Sequence, residues 1–184
     1  MNAVKSIILT GIGGKGVITI SNILSNGLVA IGYDVKVSEV HGMSQRGGSV
    51  HAQVRFGDKI YSPLIEKGTA DIILGFDRLE ALRWGSYLKK DGLMIVNNTT
   101  TNIDTYKGEI NNSFDRYNNV KLVEARLIVE DLGNNASENF LLFGVLLKSL
   151  DFNYSFWKEI FKENIKKSYQ ESSIISILRG MEEI

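Results

Sequence analysis

Residues 5–40 confine the chain to a small set of folds. A short apolar run, Lys5–Thr10, leads into Gly11-Ile12-Gly13-Gly14-Lys15-Gly16, and apolar residues then recur at Val17, Ile20, Ile23, Leu24, Leu28 and Ile31. That three-and-four spacing draws one apolar stripe along a helix, and Gly32 stands where such a helix stops. Asp34–Val40 alternates, with Val35, Val37 and Val40 as the inward set, and reads as a second strand. Strand, glycine turn, helix and strand make a βαβ unit, whose crossover is expected to be right-handed.

The stretch His41–Gly48 has no periodicity and carries three glycines, so it reads as a loop. Ser49–Phe56 alternates: Val50, Ala52, Val54 and Phe56 on one face, Ser49, His51, Gln53 and Arg55 on the other. A half-polar strand of this kind points to an antiparallel portion of the sheet. Gly57-Asp58-Lys59 is a turn signal, with Ile60-Tyr61-Ser62 as its predicted hairpin partner before Pro63, the only proline. Further strands are predicted at Ala70–Phe76, Leu93–Asn97 and Val120–Ala125, and helices at Asp77–Leu88, Ser137–Leu150 and Ser155–Ile184. The twenty or so residues after Asn97 are polar and asparagine-rich and read as a loop region with one short element. The expectation is one α/β domain over residues 1–184, with a mostly parallel, mixed sheet, a Rossmann-like βαβ start and helices on both faces.

Composition excludes whole classes of chemistry. The 184 residues contain no cysteine, which removes disulfides, thiolate nucleophiles, zinc ribbons and cysteine-ligated iron–sulfur clusters from this chain. His41 and His51 are the only imidazoles. A net charge of zero gives no global electrostatic case for nucleic acid or an anionic membrane. The longest apolar stretch, Phe140–Leu147, is far too short to span a bilayer. Ile7-Ile8-Leu9 lacks the length of a signal-peptide core, so a cytoplasmic location is expected.

Gly11-x-Gly13-x-x-Gly16 has the spacing of a dinucleotide-binding turn, where backbone N–H groups and a helix N-terminus approach an anion. Glu39, near the end of the second strand, would be the ribose-binding carboxylate. The extra Gly14 and Lys15 are unlike most such turns, and no Gly-Lys-Ser/Thr follows as a phosphate loop requires. The alternative is that the glycines only permit tight strand-to-helix packing.

"SEVHGMSQRGGSVHAQVRFG" (Ser38–Gly57), taken with "GIGGKG" upstream, "YSPLI" (Tyr61–Ile65) and "ADIILGFDRLEALR" (Ala70–Arg83), resembles one family. It is the γ-type component of 2-oxoacid:ferredoxin oxidoreductases, most nearly the β subunit of indolepyruvate:ferredoxin oxidoreductase. "LGNNASENFLLFGVLL" (Leu132–Leu147) is a weaker echo of the same pattern. Lys15 stands where the family usually has glutamine, and the tail "SSIISILRGMEEI" keeps little of the family's C-terminal segment beyond Gly180. The resemblance implies CoA-dependent oxidative decarboxylation of a 2-oxoacid, indolepyruvate or another aryl pyruvate, with ferredoxin as acceptor. It also implies that thiamine diphosphate, magnesium and 4Fe-4S clusters sit in a large partner subunit, so that this chain is not active alone. Two other readings stand beside it: a stand-alone NAD(P)-binding oxidoreductase, and a binding domain that kept the fold and lost the complex.

His41, Gln45 and Arg46 are the candidate functional residues of the glycine-rich loop. The expectation is that this loop and Gly11, Gly13, Gly14, Lys15 and Gly16 lie together at the carboxyl edge of the parallel strands, facing a phosphate, CoA or the partner's thiamine site. Arg46 suits a phosphate or carboxylate by forked donation, and Lys15 adds a point charge. His41 could donate to a substrate carbonyl or bond its own loop. His51, Gln53 and Arg55 read as a wet strand face or subunit interface. No metal site is expected from His41, His51 and Glu39, because nothing in their spacing makes them converge. Trp84 and Trp157, with Phe152, Tyr154 and Phe156, read as core and interface filler, and Asp77 as a helix cap.

Overall fold

The computed structural model describes residues 4–41, 47–99, 112–133 and 138–183. One six-stranded sheet runs through them, in the order β2-β3-β1-β4-β5-β6. Its strands are β1 (Lys5–Ile12), β2 (Asp34–His41), β3 (Ser49–Gly57), β4 (Ala70–Gly75), β5 (Leu88–Asn97) and β6 (Asn119–Val123). β1, β4, β5 and β6 pair in parallel, while β3 is antiparallel to both β1 and β2. β2 therefore points the same way as β1 but lies one strand away from it. The βαβ start is present and split, and α1 (Val17–Ile31) carries the chain past the position that β3 later fills.

The sheet is covered unequally. Ile7, Leu9, Ile72, Leu74 and Ile95 share one apolar core with Ala52, Val54 and the helices α1, α3 (Ala125–Asp131), α4 (Glu138–Ser149), α5 (Tyr154–Asn164) and α6 (Lys167–Glu182). The alternate residues Ile8, Ile73, Met94 and Val96 face a smaller core with Ala81 of α2 (Arg78–Trp84), Ile65 and Phe114. Buried strands packed on both sides read as continuous apolar runs, as ADIILGF does.

Several sequence expectations are corrected. Residues Ile60–Ser62 do not form a strand. The Ile60 N–H donates to the Asp34 carboxylate at 2.7 Å, the Ile65 N–H donates to Gln53 Oε1 at 2.7 Å, and Arg55 donates to the carbonyls of Ser62 and Leu64. Side chains of β2 and β3 thus take the bonds a hairpin ladder would have used, and Pro63 could not have donated to one. The Ile60 N–H, followed by Lys36, holds the Asp34 carboxyl below its ordinary value. Val37 and Val40 are exposed because β2 is the sheet edge, and Val40, opposite His51, points away from the main core. β5 begins at Leu88 rather than Leu93, the strand predicted over Val120–Ala125 ends at Val123 with Ala125 opening α3, and the predicted C-terminal helix is two helices with a break at Ile165-Lys166.

α4 and α6 cross at glycine on both sides. A Cβ on Gly144 would collide with the Ile177 carbonyl, and one on Gly180 with the Leu141 carbonyl. Backbone against backbone leaves no flexible side chain to yield. We expect Gly144→Ala to destabilise the chain by about 3 kcal/mol, the upper end for an overpacked core, read as a lower urea midpoint. An unchanged midpoint would contradict the crossing.

Candidate functional site

The glycine turn leaves the carboxyl end of β1 and becomes the first turn of α1. Two of its N–H groups are used by the protein itself: Gly13 donates to the Gly48 carbonyl at 2.8 Å and Lys15 to the Ile12 carbonyl at 3.1 Å. Those of Gly14 and Gly16 have no acceptor among the described residues. Gly16 is the N-cap of α1, with φ 84° and no side-chain cap. This left-handed conformation suits glycine, and a Cβ there would also overlap the Asn139 side chain. The turn is consequently open to a ligand on one side and overhung by the start of α4 on the other.

β3 brings the second candidate segment to the same place. His41 pairs with Val50 and Gly11 with Val50, so the loop that joins β2 to β3 leaves and re-enters the sheet beside the glycine turn. The Gly13–Gly48 bond ties the two together. His41 is the last residue of β2, whereas Gln45 and Arg46 lie outside the described residues.

A cleft of about 490 Å³ opens over the turn. Lys15, Gly16 and Thr19 form one wall, Glu138, Asn139 and Phe140 another, and the α5–α6 corner from Asn164 to Lys166, with Ser173 beyond it, closes the third. Gln170 Nε2 holds that corner by donating to the Lys162 and Ile165 carbonyls, each at 2.8 Å. Glu138 Oε2 accepts from Asn97 Nδ2 at 2.8 Å, which fixes the start of α4 to the carboxyl end of β5.

Glu39 does not occupy the ribose position of a dinucleotide fold. It pairs with Ala52, and Ala52 with Leu9, so a whole strand separates it from β1. Glu39 and His51 also project from opposite faces of the sheet, since they stand one register step out of phase. Among the described residues no three His, Asp or Glu side chains gather as a metal-binding group.

The other polar residues of β3 are structural. His51 packs against Trp84, ring centroids 4.2 Å apart and the rings tilted by 44°, and Ser49 donates to the Glu80 carboxylate at 2.6 Å. Asp77 caps α2 through the N–H groups of Leu79 and Glu80. Trp157 is fully buried against Phe143, Phe152 and Phe161, while Phe156 remains exposed.

Comparison with known proteins agrees with this arrangement. The family description "pyruvate ferredoxin/flavodoxin oxidoreductase" matches residues 6–182. The chain belongs to that family. It is 38% identical over 180 residues to the indolepyruvate oxidoreductase subunit IorB of Pyrococcus horikoshii, covering 92% of this chain and 88% of the relative. Its fold matches the pyruvate oxidoreductase subunit PORC of Thermotoga maritima with a TM-score of 0.76 at 17% identity, over 97% and 96% of the two chains. It also matches, with a TM-score of 0.79 at 14% identity, the 2-oxoglutarate:ferredoxin oxidoreductase of Magnetococcus marinus, solved with 2-oxoglutarate, coenzyme A and succinyl-CoA bound. That likeness covers 98% of this chain and 31% of the longer one. As a member of the pyruvate ferredoxin/flavodoxin oxidoreductase family, the chain is an oxidoreductase subunit. None of its helices, among the described residues, is long and apolar enough to cross a membrane.

In this family member the sequence reading found the glycine turn and missed the rest of the cleft. Lys166 and Ser173 come from a segment read only as helix, and Asn139 from one read as helix and as part of the weaker Leu132–Leu147 resemblance. The signal was a phase break: Trp157, Ile160, Phe161 and Ile165 are buried, but Tyr169, one turn further on, is 55% exposed. One prediction follows from His51, whose pKa burial pushes below 6.5. The unfolded chain then binds a proton on this imidazole more readily than the folded chain, so stability falls as pH drops through the window below the ordinary histidine value. We expect the urea midpoint to fall between about pH 7.5 and about pH 5.5, and to fall less in His51→Phe. Equal falls would remove His51 from the account.

Proposed function

We propose that this chain is the cofactor-free subunit of an enzyme that oxidatively decarboxylates an aryl pyruvate such as indolepyruvate, forming an acyl-CoA and passing the electron pair to ferredoxin. The observation that carries the reading is 38% identity to an IorB subunit over nearly the full length of both chains. Thiamine diphosphate, magnesium and 4Fe-4S clusters belong to a large partner subunit in this reading and supply the decarboxylation and electron transfer there. The residues of this chain do not fit those groups: there is no cysteine to ligate iron, and the described carboxylates and imidazoles do not gather in threes.

The chain's own part lies at the carboxyl edge of β1. The glycine turn and Gly47–Gly48 before β3, held side by side by the Gly13–Gly48 bond, belong in this reading to the face that docks beside the partner's thiamine site. Arg46 and Gln45 meet the substrate carboxylate or CoA there, and His41 supports the loop. The work of this subunit is to bind, orient and exclude water.

Co-expression with the large subunit tests the proposal. A stable heteromer is expected, with ferredoxin reduction that requires indolepyruvate, CoA and both chains. Arg46→Ala is expected to lower kcat/KM by about tenfold to a hundredfold in an intact complex, the worth of one charge-assisted hydrogen bond. Failure of the chains to associate, or oxidation of a substrate by this chain alone with a soluble nicotinamide, would overturn it.

A further inference from the structure

The segment Ile60–Ile65 has no regular secondary structure, yet side chains of two strands hold it in place. The Ile60, Leu64 and Ile65 N–H groups donate to the side chains of Asp34, Ser62 and Gln53, and Arg55 donates through Nη1 to the carbonyls of Ser62 and Leu64. Ile60 and Ile65 are buried at its two ends. Between these anchors Tyr61 is 85% exposed and Leu64 60% exposed. Large apolar side chains scattered over a surface are ordinary. Here a segment that is already fixed presents them, so covering them costs little ordering entropy. An aromatic ring with a polar tip is also the kind of side chain that anchors protein contacts.

A hollow of about 560 Å³ lies beside this segment, and Val4, Arg55, Ser62, Leu64 and Glu66 line it. Lys89 also lines it and is already paired with Asp71 at 2.7 Å. Arg55 and Glu66 are not paired. The half-buried guanidinium bonds only carbonyl oxygens among the described residues, and the exposed Glu66 takes part there only through its backbone carbonyl. One unmatched cation and one unmatched anion thus share a hollow without meeting each other.

We propose that this surface joins two copies of the chain about a two-fold axis, with Tyr61 of each copy seated in the hollow of the other and Arg55 of each facing Glu66 of the other. A two-fold contact requires a patch that is its own complement. A protruding ring beside a hollow meets that requirement in shape, and a cation beside an anion meets it in charge. An unrelated partner would be matched by a patch of one sign, whereas this one carries both. The hollow lies at the start of β1 and β4, next to Val4 and Thr69, on the edge opposite the glycine turn. Pairing there leaves the carboxyl edge uncovered. The inference goes beyond the reaction proposed above and does not depend on it.

Sedimentation of the full chain across the micromolar range tests it, with thermal melting of each variant as a control for folding. A monomer–dimer equilibrium is expected. Tyr61→Ala is expected to weaken it about tenfold, the loss of one aromatic anchor, and Leu64→Asp to leave only monomer. Glu66→Lys is expected to weaken it about tenfold by setting like charges against each other. Leu127→Asp, equally exposed on α3, should leave it unchanged. Because the chain has no cysteine, Leu64→Cys supplies its sole thiol, and a short bis-maleimide is expected to link two copies through it but not through Leu127→Cys. Monomer at every concentration, a dimer that Tyr61→Ala and Leu64→Asp leave intact, or equal weakening by Leu127→Asp in well-folded protein would overturn it. So would a monomer whose Leu64→Asp variant fails to join the large subunit, which would assign the surface to that chain instead.

Discussion

A single backbone bond, from the Gly13 N–H to the Gly48 carbonyl, joins the two segments on which the candidate site depends. It exists because β3 runs antiparallel between β1 and β2. Had β2 lain directly beside β1, its carboxyl end would have met the glycine turn, Glu39 would have reached a ribose, and the fold would have presented a dinucleotide crevice. The interposed strand instead puts the amino end of β3, and the loop before it, at that edge. The same βαβ ingredients consequently yield a different surface.

The remaining wall of the site comes from packing rather than from a motif. Gly144 and Gly180 let α4 and α6 cross at backbone contact. That crossing, with the break after α5, holds the α5–α6 corner above the start of α1. Trp157 fills the space beside α1 that Gly27 leaves open, so the corner is anchored by a buried aromatic cluster. The heavier of the two cores thus supports the cleft directly, while the lighter one, under α2, holds the loop-bearing strand through Ser49–Glu80 and His51–Trp84.

The α/β class, the first helix, the alternation of β3 and the Asp77 cap could be read from local pattern, because each depends on residues near one another in sequence. The family could be read from 38–57 and the segments around it for the same reason. The strand order could not, since nothing local to Asp34–Val40 says that a later strand will pair between it and β1. The false hairpin at Ile60–Ser62 failed because the side chain of Asp34, 26 residues away, took the Ile60 N–H and that of Arg55 took the Ser62 carbonyl. Ser173 and Lys166 were hidden in helical sequence whose role appears only once the chain turns at Ile165.

The account rests on the carboxyl edge being the working face of a subunit whose redox groups reside in another chain. Hydrogen–deuterium exchange of this chain, alone and assembled with the proposed large partner, measures that most directly. The account predicts slowed exchange at residues 13–19 and 47–50 on assembly, with little change at residues 89–92 on the opposite edge. Slowing confined to that opposite edge, with the glycine turn and the loop unprotected, would contradict it.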